Sequence, residues 1–167
     1  MSKRLLAAAA TIFMLGLAGA VPALATAPIR VPAGPINATF PAGTVCPFEL
    51  TTTTLVNNET VTAFFDQDGT LVREEITGRL VQQFTNDETS KTITEQVSGP
   101  ATILFNGDGS ATIIGRGTGF LILGPTDSPS SSLLLLTGLT VFTISPTGVQ
   151  TLVSTTGPTQ DICALLA

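Results

Sequence analysis

Beyond residue 45 the chain alternates between short apolar runs and turn-forming residues. The runs are rich in Thr, Val, Ile, Leu and Phe, and Gly, Asn, Asp or Pro separate them. This spacing is typical of antiparallel strands joined by tight turns. Hairpin-like turns are predicted at 66–69, 86–90, 106–109 and 145–148. The predicted strands span 46–56, 60–66, 70–77, 79–86, 91–98, 101–106, 110–115, 117–123, 132–144 and 148–154.

The pattern predicts an all-β fold, because no helical period interrupts the strands. We expect an antiparallel β-barrel, since closure removes exposed strand edges, with a β-sandwich as the alternative. The apolar run 133–144 is too short to cross a bilayer and predicts a buried strand with a bend or bulge at Gly138. A short helical turn is predicted over 159–167, with Thr159 or Asp161 as its cap.

Alternation with period two also predicts which side chains face inward. Glu74, Gln82 and Glu95 each share a strand face with aliphatic neighbours and are candidates for interior polar residues. A buried carboxylate with a raised pKa could act as an acid or base, although the same faces could instead be turned to solvent. The apolar faces are predicted to meet in one filled core that includes Phe48, Leu50, Ile103, Phe105, Leu121, Leu123 and Val141.

The first 25 residues have the three parts of a secretory signal peptide. Lys3 and Arg4 precede the uncharged apolar stretch 5–20, and Ala23-Leu24-Ala25 forms a cleavage site. We therefore expect residues 1–25 to be removed, leaving a secreted chain without a membrane anchor. Residues 26–45 are rich in proline and predict an extended lead-in, either laid against the domain or mobile, and 46–167 form the β-barrel domain.

The two cysteines, Cys46 and Cys163, are predicted to form one disulfide, because an exported chain meets an oxidising environment. A free nucleophilic thiol is the alternative, but the chain has no His to activate it. The bond would tie the first predicted strand to the C-terminus.

Charge and composition narrow the classes of partner and chemistry. Loss of Lys3 and Arg4 leaves five of the seven basic residues against twelve acidic ones, and none of the basic residues cluster. A nucleic-acid partner is therefore not expected. Because His is absent, Ser-His-Asp and Cys-His catalysis are excluded, and neither a metal nor a cofactor is predicted. The acidic turns at 66–69 and 106–110 lack the full calcium-binding loop pattern and are expected to be turns only.

Four short motifs resemble those of a group of small secreted actinobacterial proteins of unknown function. They are the run 97–100, the turn 108–110, the pair Gly115 and Gly117, and the terminal stretch 161–167. The resemblance covers about residues 46–167. It implies an exported β domain and transfers no functional residue.

These observations favour a secreted, non-enzymatic β domain with a structural or interaction role. One alternative is a barrel that binds a small apolar ligand inside, and another is a barrel enzyme of the isomerase or cyclase type. The state of the interior distinguishes them. A filled core favours the first class, a hollow apolar core the second, and a cavity walled by Glu74 or Glu95 the third.

Overall fold

The all-β prediction is confirmed by a computed structural model, which describes residues 27–167. The predicted signal peptide lies outside the described residues. In chain order the elements are β1 (Ile29–Pro32), β2 (Ala38–Phe40), β3 (Leu50–Asn57), β4 (Thr60–Phe65), β5 (Leu71–Thr77), β6 (Leu80–Asn86), β7 (Lys91–Gln96), β8 (Ala101–Phe105), β9 (Ala111–Leu123), β10 (Ser132–Ile144), β11 (Gln150–Thr155), β12 (Thr159–Asp161) and α1 (Ile162–Leu166).

The strands form two antiparallel sheets. The larger sheet has the order β1-β4-β5-β8-β9-β10-β11, with β12 also paired to β10, and the smaller sheet has the order β2-β3-β6-β7. Neither order returns to its first strand within residues 27–167, so the predicted closed barrel is not confirmed. All four predicted hairpin turns are present, joining β4 to β5, β6 to β7, β8 to β9 and β10 to β11.

The strand boundaries differ from the prediction in several places. β3 begins at Leu50 rather than at Cys46, and residues 159–161, predicted as part of the helical turn, form β12. Residues 110–115 and 117–123, predicted as separate strands, belong to the single strand β9.

The proline-rich lead-in contributes one strand to each sheet, because β1 pairs with β4 and β2 pairs with β3. Pro28 precedes β1, Pro32 ends it, Pro35 lies between the two strands and Pro41 follows β2. None of these prolines lies at the centre of a strand, where a ladder hydrogen bond would be lost.

The long ribbon of β9 and β10 bends back on itself. At one end of the ribbon, Ile122 of β9 pairs with Leu133 of β10. At the other end, Ile144 of β10 pairs with Gln150 of the next strand, β11. Residues 133 and 144 would lie about 36 Å apart along a straight strand. However, the Gln150 side-chain amide donates a hydrogen bond to the Ile122 carbonyl oxygen at 3.1 Å. The two ends of the ribbon are therefore brought together by its curl.

Glycines make this bend possible. Gly117 and Gly138 are register partners at the middle of the ribbon, and both have positive φ, 80° and 93°. This conformation is strained for residues with a Cβ. The prediction of a bend at Gly138 is thereby confirmed. Next to the bend, Gly99 lies so close to the Arg116 carbonyl oxygen that any Cβ at position 99 would collide with it.

The described residues form two apolar clusters rather than one core, so the single-core prediction is wrong. The first cluster lies between the smaller sheet, α1 and one face of the β9–β10 ribbon, and includes Phe48 and Leu50. The second lies on the other face of the ribbon and includes Leu121 and Leu123. The two faces of the curled ribbon are covered separately, so the buried apolar residues are divided between two clusters. Ile103, Phe105 and Val141 belong to neither cluster and are half-buried.

The C-terminal helix and the disulfide close the first cluster. Asp161 caps α1, because its side chain accepts a hydrogen bond from the Ala164 backbone N–H at 3.2 Å. Cys46 and Cys163 are bonded, with Cα atoms 5.4 Å apart, which confirms the predicted pairing. Ile162 and Leu166 are fully buried beside the bond.

Candidate interaction surface

The three polar residues predicted to face the interior lie in two different sheets. Gln82 and Glu95 are register partners in the smaller sheet, where Gln82 is fully buried and Glu95 is half-buried. Glu74 lies in the larger sheet, between its register partners Ala63 and Ile103, and is half-buried. The three residues therefore do not form a common site.

Both polar atoms of the Gln82 amide are occupied by structural hydrogen bonds. Its Oε1 accepts from the Thr54 hydroxyl at 2.9 Å, and its Nε2 donates to the Ile36 carbonyl oxygen at 2.7 Å. The Ile36 backbone N–H donates in turn to the Thr54 hydroxyl at 2.8 Å. This closed set of bonds fastens the lead-in to the smaller sheet, and a buried amide without such partners would be costly.

An open groove of about 380 Å³ lies beside β2 and β3. It is lined by Asn37, Ala38, Thr39, Thr51, Thr52 and Thr53. The hydroxyls of Thr39 and Thr51 bond each other at 3.0 Å, and Thr51 donates to Asp87 at 2.7 Å. The groove is thus an open depression in which the hydroxyls of Thr39 and Thr51 are already paired, not an enclosed chamber of the kind that holds a small apolar ligand.

The acidic turns use their carboxylates to hold the backbone. The Asp66 side chain accepts hydrogen bonds from the backbone N–H groups of Asp68 and Thr70 at 2.9 and 2.8 Å. The Asp108 side chain accepts from the hydroxyl and the backbone N–H of Ser110, and these bonds lower the pKa of the Asp108 carboxyl. Such bonds stabilise hairpin turns.

The most unusual surface belongs to β1, β4, β5 and β8, which we call the wing. No residue of these four strands is fully buried, and none belongs to either apolar cluster of residues 27–167 or packs against it. A sheet of this kind normally covers at least one of its faces. The wing therefore contributes to neither apolar cluster of the described residues.

One face of the wing is apolar, as strand register shows. Residues directly paired across antiparallel strands share a face, and one such row is Ile29, Ala63, Glu74 and Ile103. Together with the neighbouring rows, the apolar face consists of Ile29, Val31, Val61, Ala63, Phe65, Leu71, Glu74, Ile76, Ala101, Ile103 and Phe105. Glu74 is the one charged residue in this set.

The Glu74 carboxyl is affected by its apolar neighbours. Burial raises the pKa of Glu74 above its ordinary value of 4.5. The adjacent Arg73 belongs to the opposite face, where its guanidinium lies 4.0 Å from the centre of the Phe64 ring and its Nε lies 3.6 Å from Glu75. That opposite face is mixed in character, so the two faces of the wing differ in polarity.

Sequence reasoning placed Glu74 on an aliphatic face but missed that this face contributes to neither apolar cluster of residues 27–167. A sequence signal for this feature was present. Residues 61–65 and 101–105 contain apolar residues at both odd and even positions, so alternation does not show which face of these strands points inward.

Comparison with known proteins adds no relationship. The chain matches no family model, and neither curated proteins nor solved structures show significant similarity to it. The resemblance to small secreted actinobacterial proteins therefore stays a prediction.

Proposed function

We propose that this chain is an exported, non-enzymatic β domain that acts by binding a protein partner through the apolar face of the wing. The observation that carries the proposal is that eleven register-aligned residues, ten of them apolar, are covered by neither cluster in the described structure. Apolar surface gains free energy when it leaves water, at about 25 cal/mol per Å². Contiguous apolar patches of several hundred Å² mark interaction sites in natural proteins.

Export is supported by two features. The predicted signal peptide would direct the chain out of the cell, and the Cys46–Cys163 bond is of a type that persists in oxidising compartments. Within residues 27–167 no helix has both the length and the apolar character needed to cross a membrane.

The alternatives from the sequence receive no comparable support. Both polar atoms of the Gln82 amide are occupied by structural hydrogen bonds, and Glu74 is half-buried in the wing and does not line the groove beside β2. The groove beside β2 is open to solvent rather than enclosed. A binding surface accounts for the wing, whereas an internal ligand or a reaction site leaves it unexplained.

Site-specific photocrosslinking tests the proposal. A photoreactive amino acid placed at Ile103 of the exported chain, in cells that produce it, is expected to form a discrete protein adduct. Leu104 is the matched control, because it is also aliphatic and half-buried but lies on the opposite face of the same strand. It is expected to form little adduct, since the partner covers only the apolar face.

Equal adduct formation at both positions, or none at Ile103, would contradict a binding role for the apolar face. Analysis of the adduct by mass spectrometry also identifies the bound protein, so that a second copy of the chain and a different protein are distinguished.

A further inference from the structure

The orders of the two sheets end in four strands, and three of these sheet edges are protected. β1 has four residues and ends at Pro32, and β2 has only three residues and is followed by Pro41. The edge of β11 is covered by Ser128, whose backbone N–H donates to the Gln150 carbonyl oxygen at 2.9 Å and whose carbonyl oxygen accepts from Leu152 at 2.8 Å. Short strands, proline and a covering segment all hinder the addition of a further strand.

β7, at the other end of the smaller sheet, has none of these protections. It has six residues, and neither proline nor a bulge interrupts its pairing with β6. The Val97 backbone N–H donates to the Leu80 carbonyl oxygen at 3.0 Å. Because bonded positions alternate along an antiparallel ladder, the backbone N–H and C=O groups of Thr92, Thr94 and Gln96 are directed away from β6. These groups have no hydrogen-bond partner among residues 27–167, and all three residues are exposed.

We propose that β7 pairs in antiparallel orientation with β7 of a second copy of this chain, which joins two four-stranded sheets into one continuous sheet. This edge is separate from the wing, so the inference goes beyond the proposed function. The twofold axis passes beside Ile93, and Thr92 of each copy lies opposite Thr94 of the other. These two pairs exchange backbone hydrogen bonds in both directions, about four in all. Main-chain bonds of this kind provide the affinity when a strand is added to an open sheet edge.

The charges of β7 favour this register over its neighbours. Lys91, Ile93 and Glu95 alternate along one face of the strand. With the axis beside Ile93, Lys91 of each copy lies opposite Glu95 of the other, at positions where side chains approach most closely. An axis beside residue 95 would instead oppose two glutamates, and an axis beside residue 91 two lysines, and like charges directly opposite each other are destabilising. The strand is therefore complementary to itself in one register.

The second copy supplies a countercharge that Glu95 lacks within its own chain. Glu95 is half-buried, and its carboxylate has neither an ion pair nor a hydrogen bond to any of the residues that the structure describes. Lys91 is exposed, and its Nζ donates to the Ala167 carbonyl oxygen at 3.0 Å. Because an ammonium group has three N–H donors, Lys91 retains this contact while it faces the second copy's Glu95.

The C-terminal helix extends the interface beyond the two strands. α1 contacts β7 on the face that carries Ile93, and Leu165 of α1 is 48% exposed. The twofold axis is perpendicular to the joined sheet, so both copies of α1 lie on the same side of it and close to the axis. Apolar contact between them adds to the main-chain bonds. Since the interface is at the small end of specific interfaces, we expect a dissociation constant in the micromolar range.

Sedimentation equilibrium of the exported chain tests the dimer through charge reversal. The natural chain is expected to show a concentration-dependent monomer–dimer equilibrium. Lys91→Glu and Glu95→Lys should each raise the dissociation constant by at least about tenfold, because both cross-strand pairs then carry like charges. An equimolar mixture of the two variants should dimerise nearly as well as the natural chain, because each variant then faces the opposite charge. A variant that fails to fold cannot produce this recovery.

Substitution of Thr94 tests the main-chain bonds without changing any charge. The Thr94 N–H is directed away from β6, so Thr94→Pro keeps the ladder within the chain and removes only the donor to the second copy. We expect it to raise the dissociation constant by about 100-fold. Thr94→Ala is the matched control, because it retains the N–H, and it should leave the constant nearly unchanged. Circular dichroism verifies that both variants fold.

A chain that stays monomeric at every concentration overturns the proposal. A mixture of Lys91→Glu and Glu95→Lys that dimerises no better than either variant alone overturns it as well, as do equal effects of proline and alanine at position 94. Crosslinking at Ile103 tests the proposed function separately. A chain that dimerises through β7 and forms no adduct at Ile103 would retain this inference and lose the binding role of the wing.

Discussion

Replacing Cys46 with serine is expected to lower the free energy of unfolding by about 4 kcal/mol, and the melting temperature by about 10–20 °C. The bond closes a loop of 117 residues, so its loss frees a large part of the unfolded chain. Both cysteines are also buried in the first apolar cluster, which means that the bond holds α1 against the smaller sheet. Thermal and denaturant unfolding of the oxidised chain and the variant measure the difference.

The control separates the crosslink from the packing of the sulfur atoms. A reducing agent should lower the stability of the natural chain to nearly that of Cys46→Ser, and should leave the variant unchanged. Stability that is insensitive to reduction, or two reactive thiols in the denatured, unreduced chain, would contradict this role for the disulfide.

Substituting alanine at Gly99 is expected to destabilise the chain by more than about 3 kcal/mol. The new Cβ would collide with the backbone carbonyl of Arg116, and backbone cannot move aside as a flexible side chain can. The Gly99 backbone N–H also donates to the Thr118 carbonyl oxygen at 2.9 Å, so relief of the collision would cost that bond. The effect is large because residue 99 lies directly against the backbone of β9 at the bend of the β9–β10 ribbon.

Gly107→Ala is the matched control, because a Cβ at this turn position meets no atom within 4 Å. Its effect should stay within about 0.5 kcal/mol, as is usual for surface changes. If denaturant unfolding gave similar losses for the two alanine variants, close packing against the bend would not be the cause.

Local features of the fold were predictable because neighbouring residues determine them. The turns at 66–69 and 106–109 contain Asp, Asn and Gly, and they form hairpins without help from the rest of the chain. The C-terminal helix begins after Asp161, whose side chain caps it. The disulfide followed from the cysteine count and the expected export.

Long-range features were not predictable, because alternation shows that a strand has two faces but not what covers each one. Leu121 and Ile103 occur in similar short apolar runs, and only Leu121 is buried. The difference arises from the curl of the β9–β10 ribbon, which is produced by two glycines that meet only in the paired structure. The predicted barrel assumed that closure would protect the edges, whereas the edge strand β1 is short and bounded by prolines.

The candidate surface was predictable only in part. Period two placed Glu74, Gln82 and Glu95 each among aliphatic residues, and it could not show that Glu74 lies in a different sheet from the other two. The hydrogen bonds that occupy Gln82 come from residues 28 and 46 positions earlier in the chain. No local pattern encodes such contacts.

Hydroxyl-radical footprinting of Phe64 and Phe65 tests the central claim most directly, that the chain binds through the apolar face of the wing. These neighbours lie on opposite faces of β4, and both are half-buried. When the chain is bound to the partner that crosslinking at Ile103 identifies, we predict that modification of Phe65 falls strongly while that of Phe64, which lies beside the Arg73 guanidinium, stays constant. Unchanged modification of Phe65, or equal protection of both rings, would contradict the account.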